Sequence, residues 1–393
     1  MRTALLVAAL SLVGCSSSED ATPKVDAGVD APAPSVASFE LEQSFTIASG
    51  GHLAFPDLAR LADGSLLLVY RKGATHVDAS GRIMKQFGSA DGTSWSDPEV
   101  LYDAPDIDDR DPSVTVLHGG DVLVSYFQYL TEALSGGTLA THHVFLGRST
   151  DGGQSFGPFT QIDGGSMSPS SPALNADGLW VDAQGTLLEV EACSSPVVEL
   201  GSKLVLPVYG GHPLNLAKLA AMPRSQVSFL VSTDGQTFTQ EAVLALSDVW
   251  LQEPALLPLS NGTTLLQVRT ASGASPSSPG PLMQSTSTDL ATWSAPEGLG
   301  FVGHAPSLIE LPGGLVLSAY RWLDDAFSEE RVSFSWSLDA GTTFSAPIDV
   351  ADCGGVECGY PSMVSLGADR FLLVYYAPGG SSIEGVIYHY TLS

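Results

Sequence analysis

The chain has 393 residues and a formal net charge of −27, with 16 Lys+Arg against 43 Asp+Glu. Such an acidic surface excludes nucleic acid as a partner, because phosphate binding needs basic groups that displace counterions. Hydrophobic residues at 44% exclude a mostly disordered chain, and 41 scattered Gly with 25 Pro point to many tight turns and an all-β protein.

At the start, Met1-Arg2 precedes an apolar run from Ala4 to Val13 that is too short to span a bilayer and reads as an export signal. The run ends in Leu12-Val13-Gly14-Cys15, with small residues before a cysteine at the expected cleavage point. This stretch resembles the lipobox of bacterial lipoproteins, which implies a signal peptide over 1–14 and lipidation of Cys15. An exported chain follows, held to the cell envelope by its lipid alone. Ser16 after the cysteine carries no inner-membrane retention signal and points to the outer membrane. Residues 15–38, rich in Ser, Asp, Ala and Pro and without aromatics, form a flexible tether. Phe39 to Ala48 (FELEQSFTIA) then alternate as a strand should.

From there one unit recurs six times: an X-Pro step, an apolar run, a Gly-, Asn- or Asp-containing turn and a second apolar run. The copies begin at Phe55-Pro56, Asp111-Pro112, Ser195-Pro196, Glu253-Pro254, Ala305-Pro306 and Tyr360-Pro361. Each predicts a β-hairpin, with Pro at the strand start where its missing N–H costs no ladder bond. The spacing suits one four-stranded propeller blade per copy, with an insertion near residues 160–190. The last blade lacks room for a fourth strand, so residues 39–48 are expected to complete it and close the ring. Cys353 and Cys358 flank Gly-Gly-Val-Glu, a spacing that suits a small disulfide loop and leaves Cys193 unpaired and buried.

A second motif follows five of the hairpins: Ser89-Ala-Asp91-Gly92-Thr-Ser-Trp95, and counterparts centred on Asp151, Asp234, Asp289 and Asp339. It resembles the Asp-box of the sialidase superfamily, Ser-x-Asp-x-Gly-x-Thr-Trp, although three of the five are a residue short. Its job is a turn: the Asp accepts backbone N–H bonds, Gly takes a positive φ and the aromatic packs inward. These aspartates are therefore structural. The resemblance covers residues 39–393 and implies a six-bladed β-propeller with four-stranded antiparallel blades.

In a propeller the starts of the first strands and the ends of the second strands meet at one rim. Fifteen residues after each Pro stand Arg71, Phe127, Gly211, Arg269, Arg321 and Tyr376. Three arginines at one register offer forked donors to a carboxylate, sulfate or phosphate. Here the resemblance to sialidases becomes residue-specific. Glu253 with Arg269 matches the Glu and an arginine of the family's triad, and Tyr360 in GYPSMVSL matches its tyrosine nucleophile. Such a tyrosine avoids the repulsion a carboxylate nucleophile would meet at an anomeric carbon bearing a carboxylate, and the Glu takes its proton.

Two departures stand out. The family's blade-1 Phe-Arg-Ile-Pro is here Leu53-Ala54-Phe55-Pro56, so Arg71 is expected to substitute for the missing arginine. For the acid/base, the loop after Arg71 offers Asp78 and His76. Asp111 and Arg110 at the rim are candidates for sugar contacts, as are His304 through a neutral imidazole and Trp322 and Tyr376 by stacking. No metal cluster, phosphate loop or Ser-His-Asp order is evident in the residues, and no cofactor is expected. The best account is an exo-glycosidase of sialidase type, monomeric, removing a terminal acidic sugar from a carbohydrate or glycoconjugate. The alternatives are a propeller glycosidase for an arabinan, rhamnose or uronate linkage using Asp111 and Glu253 as paired carboxylates, and a surface propeller that binds carbohydrate without catalysis.

Overall fold

A computed structural model describes residues 36–211, 225–246, 249–272, 278–324 and 328–393. The export signal, Cys15 and nearly all of the tether lie outside these residues. Strands account for almost all regular structure, with one 3₁₀ turn at Pro378–Gly380 among the described residues.

All strand pairs among the described residues are antiparallel, and the six X-Pro hairpins are spread over five of the six sheets, the fourth and fifth sharing one. Sheet one holds His52–Arg60, Leu66–Gly73, Arg82–Gly88 and Glu99–Tyr102, and sheet two Asp108–Val116, Val122–Leu134, Gly137–Ser149 and Thr160–Gln161. In sheet three Val190–Ala192 and Val198–Leu200 both pair with Lys203–Gly211, followed by Gln226–Ser232 and Thr239–Ala245. The fourth and fifth hairpins share a seven-stranded sheet. Its long strand Glu297–Leu311 pairs first with Pro281–Ser287 and then, past Val302, with Leu315–Leu323. The last sheet runs Gly359–Ser365, Arg370–Tyr376, Ser382–Leu392 and finally Ala37–Ser49. The N-terminal strand thus pairs along Ser382–Leu392, from Ala37 opposite Leu392 to Ser49 opposite Ser382, and the two ends of the chain close one sheet. That covers an edge which would otherwise offer unpaired N–H and C=O groups.

The core lies between the faces of neighbouring sheets. Leu58, Leu66, Leu68 and Tyr70 of sheet one meet Leu372, Val374, Ile383 and Ile387 of the last sheet, all buried. Such two-sided burial explains the nearly continuous apolar runs. Residues from all six hairpin copies surround a single cavity of about 100 Å³, among them Pro56, Pro112, Pro196, Ala255, Pro306 and Pro361. The five Ser-x-Asp turns are built as their chemistry requires. Asp151 Oδ1 accepts from Ser155 N at 2.9 Å, and Asp289 Oδ1 from Ala291 N and Thr292 N at 2.9 and 2.8 Å. Where the glycine is missing, Leu290 still takes φ 63°. The insertion forms a small hairpin, Ala173–Leu174 with Trp180–Val181, and reaches the third strand of sheet two, Gly137–Ser149, where Thr141 donates to Met167 O at 2.7 Å.

Candidate active site

Five of the six residues before proline have left-handed backbone: Phe55, Asp111, Glu253, Ala305 and Tyr360, with φ between 47° and 57°. For bulky L-residues this costs roughly 1–3 kcal/mol each, and such strain concentrates at functional sites. At each of them the strand register shifts, as between Gln252 and Ala255. The bulge breaks the alternation of side chains and re-aims this one residue per hairpin. Repetition around the ring therefore sets Asp111, Glu253 and Tyr360 on a common rim.

Glu253 is the hub. Its Oε1 accepts from Tyr360 OH at 2.6 Å and from Arg269 NH1 at 2.5 Å, and its Oε2 from Ala305 N at 2.7 Å. Burial alone would raise this carboxyl, but Arg269, the Tyr360 hydroxyl, Arg321 and the Ala305 N–H hold it below its ordinary value. Burial pushes the Tyr360 phenol well up, and the charges of Glu253 and Asp111 add to that. The resting pair is thus a neutral phenol donating to a carboxylate.

Arg321 donates to His304 Nδ1 at 3.0 Å and to Cys358 O at 3.4 Å, with its guanidinium carbon 5.7 Å from the centre of the Tyr360 ring. Burial, with Arg269 and Arg321, pushes His304 well below its ordinary value, so this histidine is a neutral acceptor that orients Arg321.

Arg71 is a correction. It is 0% exposed, donates from Nε to Asp108 Oδ1 at 2.7 Å and from NH1 to Thr75 O at 2.9 Å, and so presents nothing to a ligand. The approach is close enough that a Cβ on Gly81 would overlap Asp108 Oδ1. Arg110, the neighbour of Asp111, lies near the Tyr360 cluster. It donates to Asp108 Oδ2 at 3.2 Å and His76 O at 2.9 Å, lies over Phe55 with 5.0 Å to the ring centre, and feels Tyr360 and Tyr209. The cationic trio at the rim is therefore Arg110, Arg269 and Arg321.

Asp78 is a second correction. Its Oδ2 accepts from Thr75 N and Thr75 Oγ1 and its Oδ1 from Ser80 N and Ser80 Oγ, an Asx-type turn. Partial burial opposes ionisation, but those bonds outweigh it and hold the carboxyl well below its ordinary range, so it carries no proton to donate. His76 stays at the rim, with Nδ1 2.7 Å from Glu357 Oε1. Tyr376 is 0% exposed and donates to Glu357 Oε1 at 2.6 Å, so it cannot stack on a sugar. Trp322 instead stacks against Arg331, 5.0 Å from the ring centre. Cys353 and Cys358 form a disulfide, and Cys193 is free and buried.

Asp111 is buried, with Arg110 Nε 3.7 Å from its Oδ1. Burial raises its carboxyl to about 7, opposed by Arg110 and reinforced by Glu253. The Glu253 and Asp111 carboxyls are thus displaced in opposite directions. The sequence reading missed Glu357, whose signal was its place inside the cysteine loop just before Tyr360. It also missed Tyr209, which feels Glu253, Asp111, Arg269 and Arg110. The third hairpin is shorter, so a count of fifteen from Pro196 landed on Gly211 instead.

Burial also raises Asp57 to about 6, Asp109 to about 7 and Glu191 to about 8. An acid raised by folding favours the folded state below its unfolded value, and that contribution is lost as pH rises through the folded one. With Asp111, these groups should make the protein less stable as pH rises from about 5 to about 8. The lowered Glu253 and Glu357 act oppositely, below about pH 4.5. Thermal unfolding followed across pH should therefore place the maximum Tm near pH 5; a Tm rising steadily to about pH 8 would contradict these burials.

No protein-family model and no curated protein matches the chain. Among solved structures it is similar to a protein of unknown function from Dyadobacter fermentans, at 22% identity and TM-score 0.71, covering 89% of this chain and 99% of that one. It is similar to the NanB sialidase of Streptococcus pneumoniae at 12% identity and TM-score 0.59, over 89% and 70% of the two chains. It also resembles the α-L-arabinanase of Penicillium chrysogenum at 13% identity and TM-score 0.62, over 88% and 98%. The chain therefore has the fold of these sialidase and arabinan-degrading neighbours, an all-β assembly of antiparallel sheets.

Proposed function

We propose that the protein is a six-bladed propeller glycoside hydrolase of sialidase type that removes a terminal acidic sugar with Tyr360 as nucleophile. The count of six takes the seven-stranded sheet as two blades sharing Glu297–Leu311. The observation that carries the reading is the Tyr360–Glu253–Arg269 cluster, with its 2.6 Å and 2.5 Å bonds. Tyr360 Oη attacks the anomeric carbon while Glu253 takes its proton, and Arg110, Arg269 and Arg321 bind the sugar carboxylate. Asp111, protonated part of the time near neutral pH, donates to a ring hydroxyl. The leader and Cys15 complete the proposal: an exported, lipid-anchored monomer acting on glycoconjugates outside the cell.

A second reading is favoured by Asp111 itself. In a glycosidase for a neutral sugar, such as an arabinan linkage, Asp111 is the acid and Glu253 the second carboxylate. Each rim arginine already has a carboxylate nearby: Arg110 has Asp108, Arg269 has Glu253, and Arg321 has Glu330 and Glu357 within 3.8 and 3.9 Å. The two readings separate on fluorogenic substrates offered to the soluble domain. Turnover of an α-sialoside supports the first, and turnover of an α-L-arabinofuranoside alone replaces it with the second. Sugar binding without turnover of either leaves a carbohydrate-binding propeller.

A further inference from the structure

Resting on the glycosidase reading, we propose that His76 is the proton donor to the leaving group and that Glu357, carried by the disulfide loop, is its positioning residue. His52, His76 and Glu357 gather at the rim between sheet one and the last sheet, their ligand-type atoms all within 4.8 Å of one another. Two imidazoles and a carboxylate also suit a divalent metal ion. The surroundings argue for a proton instead. Arg110 NH2 lies 3.4 Å from His76 Nε2, and Arg321 NH1 lies 3.9 Å from Glu357 Oε1, so an ion would face two fixed guanidiniums.

The contacts of the two ring nitrogens orient the imidazole. A guanidinium only donates, so Nε2 of His76 is the acceptor toward Arg110 and the proton of the neutral ring sits on Nδ1, facing Glu357 Oε1 at 2.7 Å. A carboxylate behind one ring nitrogen, with the other nitrogen turned to the site, orients the ring and stabilises the imidazolium. Glu357 is itself held from several sides. The Tyr376 hydroxyl donates to the same Oε1 at 2.6 Å, Gly379 N donates to the Glu357 carbonyl at 2.7 Å, and the Cys353–Cys358 disulfide closes the loop. Although burial opposes it, the His76 contact, with Tyr376 and Arg321, brings the Glu357 carboxyl down to about 2, so it stays ionised.

The placement suits a leaving group. One ring, Phe55, separates His76 from Tyr360, with edge-on centroid distances of 5.4 and 4.7 Å. Val77 and Val356, which follow His76 and precede Glu357 in the chain, are 50% and 48% exposed. In the first step the imidazolium gives its Nε2 proton to the glycosidic oxygen as that C–O bond breaks. Tyr360 Oη forms the new bond to the anomeric carbon, and its proton passes to Glu253. Water then attacks the same carbon and gives a proton to neutral His76 Nε2. The bond to Tyr360 breaks, and Glu253 returns the phenol's proton. The groups facing His76 are Glu357 from the disulfide loop, Arg110 from sheet two and His52 from its own sheet.

The test compares two glycosides of one sugar, an activated aryl glycoside that needs little acid assistance and an alkyl glycoside that needs it. His76→Ala should lose about a hundredfold or more in kcat on the alkyl glycoside and less than about tenfold on the aryl one. Glu357→Gln should lower kcat on the alkyl glycoside by about tenfold and leave the aryl one nearly unchanged, with KM little altered, because the ring that delivers the proton is no longer oriented. Equal losses of His76→Ala on both substrates, or the leaving-group signature appearing in Asp111→Asn instead, would overturn the proposal. If wild type turns over no glycoside, the glycosidase reading itself fails and the catalytic role falls with it. Imidazole ¹⁵N shifts test the pair without turnover: a neutral His76 protonated on Nδ1 in wild type, and redistributed in Glu357→Gln, is expected. The Nε2-protonated tautomer in wild type would overturn the pairing.

Discussion

Replacing Tyr360 by phenylalanine is expected to lower kcat at least about a thousandfold, the scale on which loss of a covalent nucleophile acts. The substitution removes one oxygen and keeps the ring, which packs 4.7 Å from Phe55 and under Arg321 at 5.7 Å. Substrate binding through the arginines survives, so KM should change little while kcat collapses. Steady-state kinetics on the best fluorogenic substrate, with circular dichroism as a control for folding, measure this. A variant that keeps more than roughly a tenth of wild-type kcat would remove the tyrosine from the covalent step. The paired-carboxylate reading would then take its place, because Asp111 and Glu253 need no phenol between them.

Glu253→Leu should be the most destabilising single change at the rim. Glu253 is 3% exposed and receives Arg269, Tyr360 and the Ala305 N–H, so deleting it takes the 2.5 Å partner from a buried guanidinium. Breaking a buried pair from one side costs about 3–5 kcal/mol. Glu253→Gln keeps the shape and an acceptor for Ala305 N–H, and should cost less. On the proposed mechanism both variants lack a base for the phenol proton, so activity should fall about a hundredfold or more in each. Urea unfolding separates the two effects. A leucine variant as stable as wild type would mean that Arg269 does not depend on Glu253, and Glu253 would then be held for chemistry alone.

Much of the architecture was legible in the chain because it repeats. The X-Pro step and the Ser-x-Asp turn are local devices, governed by proline's ring and by an aspartate reaching N–H groups two to four residues away, and local devices show in sequence. The alternating segment 39–48 found its partner for the same reason. Its pattern demanded a neighbour, and the last sheet had a free edge that Ser382–Leu392 offers to Ala37–Ser49. Glu253 and Tyr360 were legible because each sits at a repeated register, and their 2.6 Å bond joins two positions that the repeat places on one rim.

What failed in the sequence reading failed for want of a third dimension. Arg71 and Arg269 share a register, yet Arg71 meets Asp108 across a gap that only Gly81 leaves open, and it is consumed in the interior. Asp78 stood at a suitable distance along the chain, but two neighbours, Thr75 and Ser80, saturate its oxygens. Arg110 belongs to no repeated arginine register and reaches the rim because the bulge at Asp111 turns the strand there. The sequence by itself determined the all-β class, the repeated hairpins and the turns between strands, since these follow from periodicity and turn chemistry carried by neighbouring residues, whereas the seven-stranded sheet that joins the fourth and fifth hairpins had no local signal. Only the tertiary structure decided which charges are spent on one another and which face the site, because pairing and desolvation depend on distances between segments far apart in the chain.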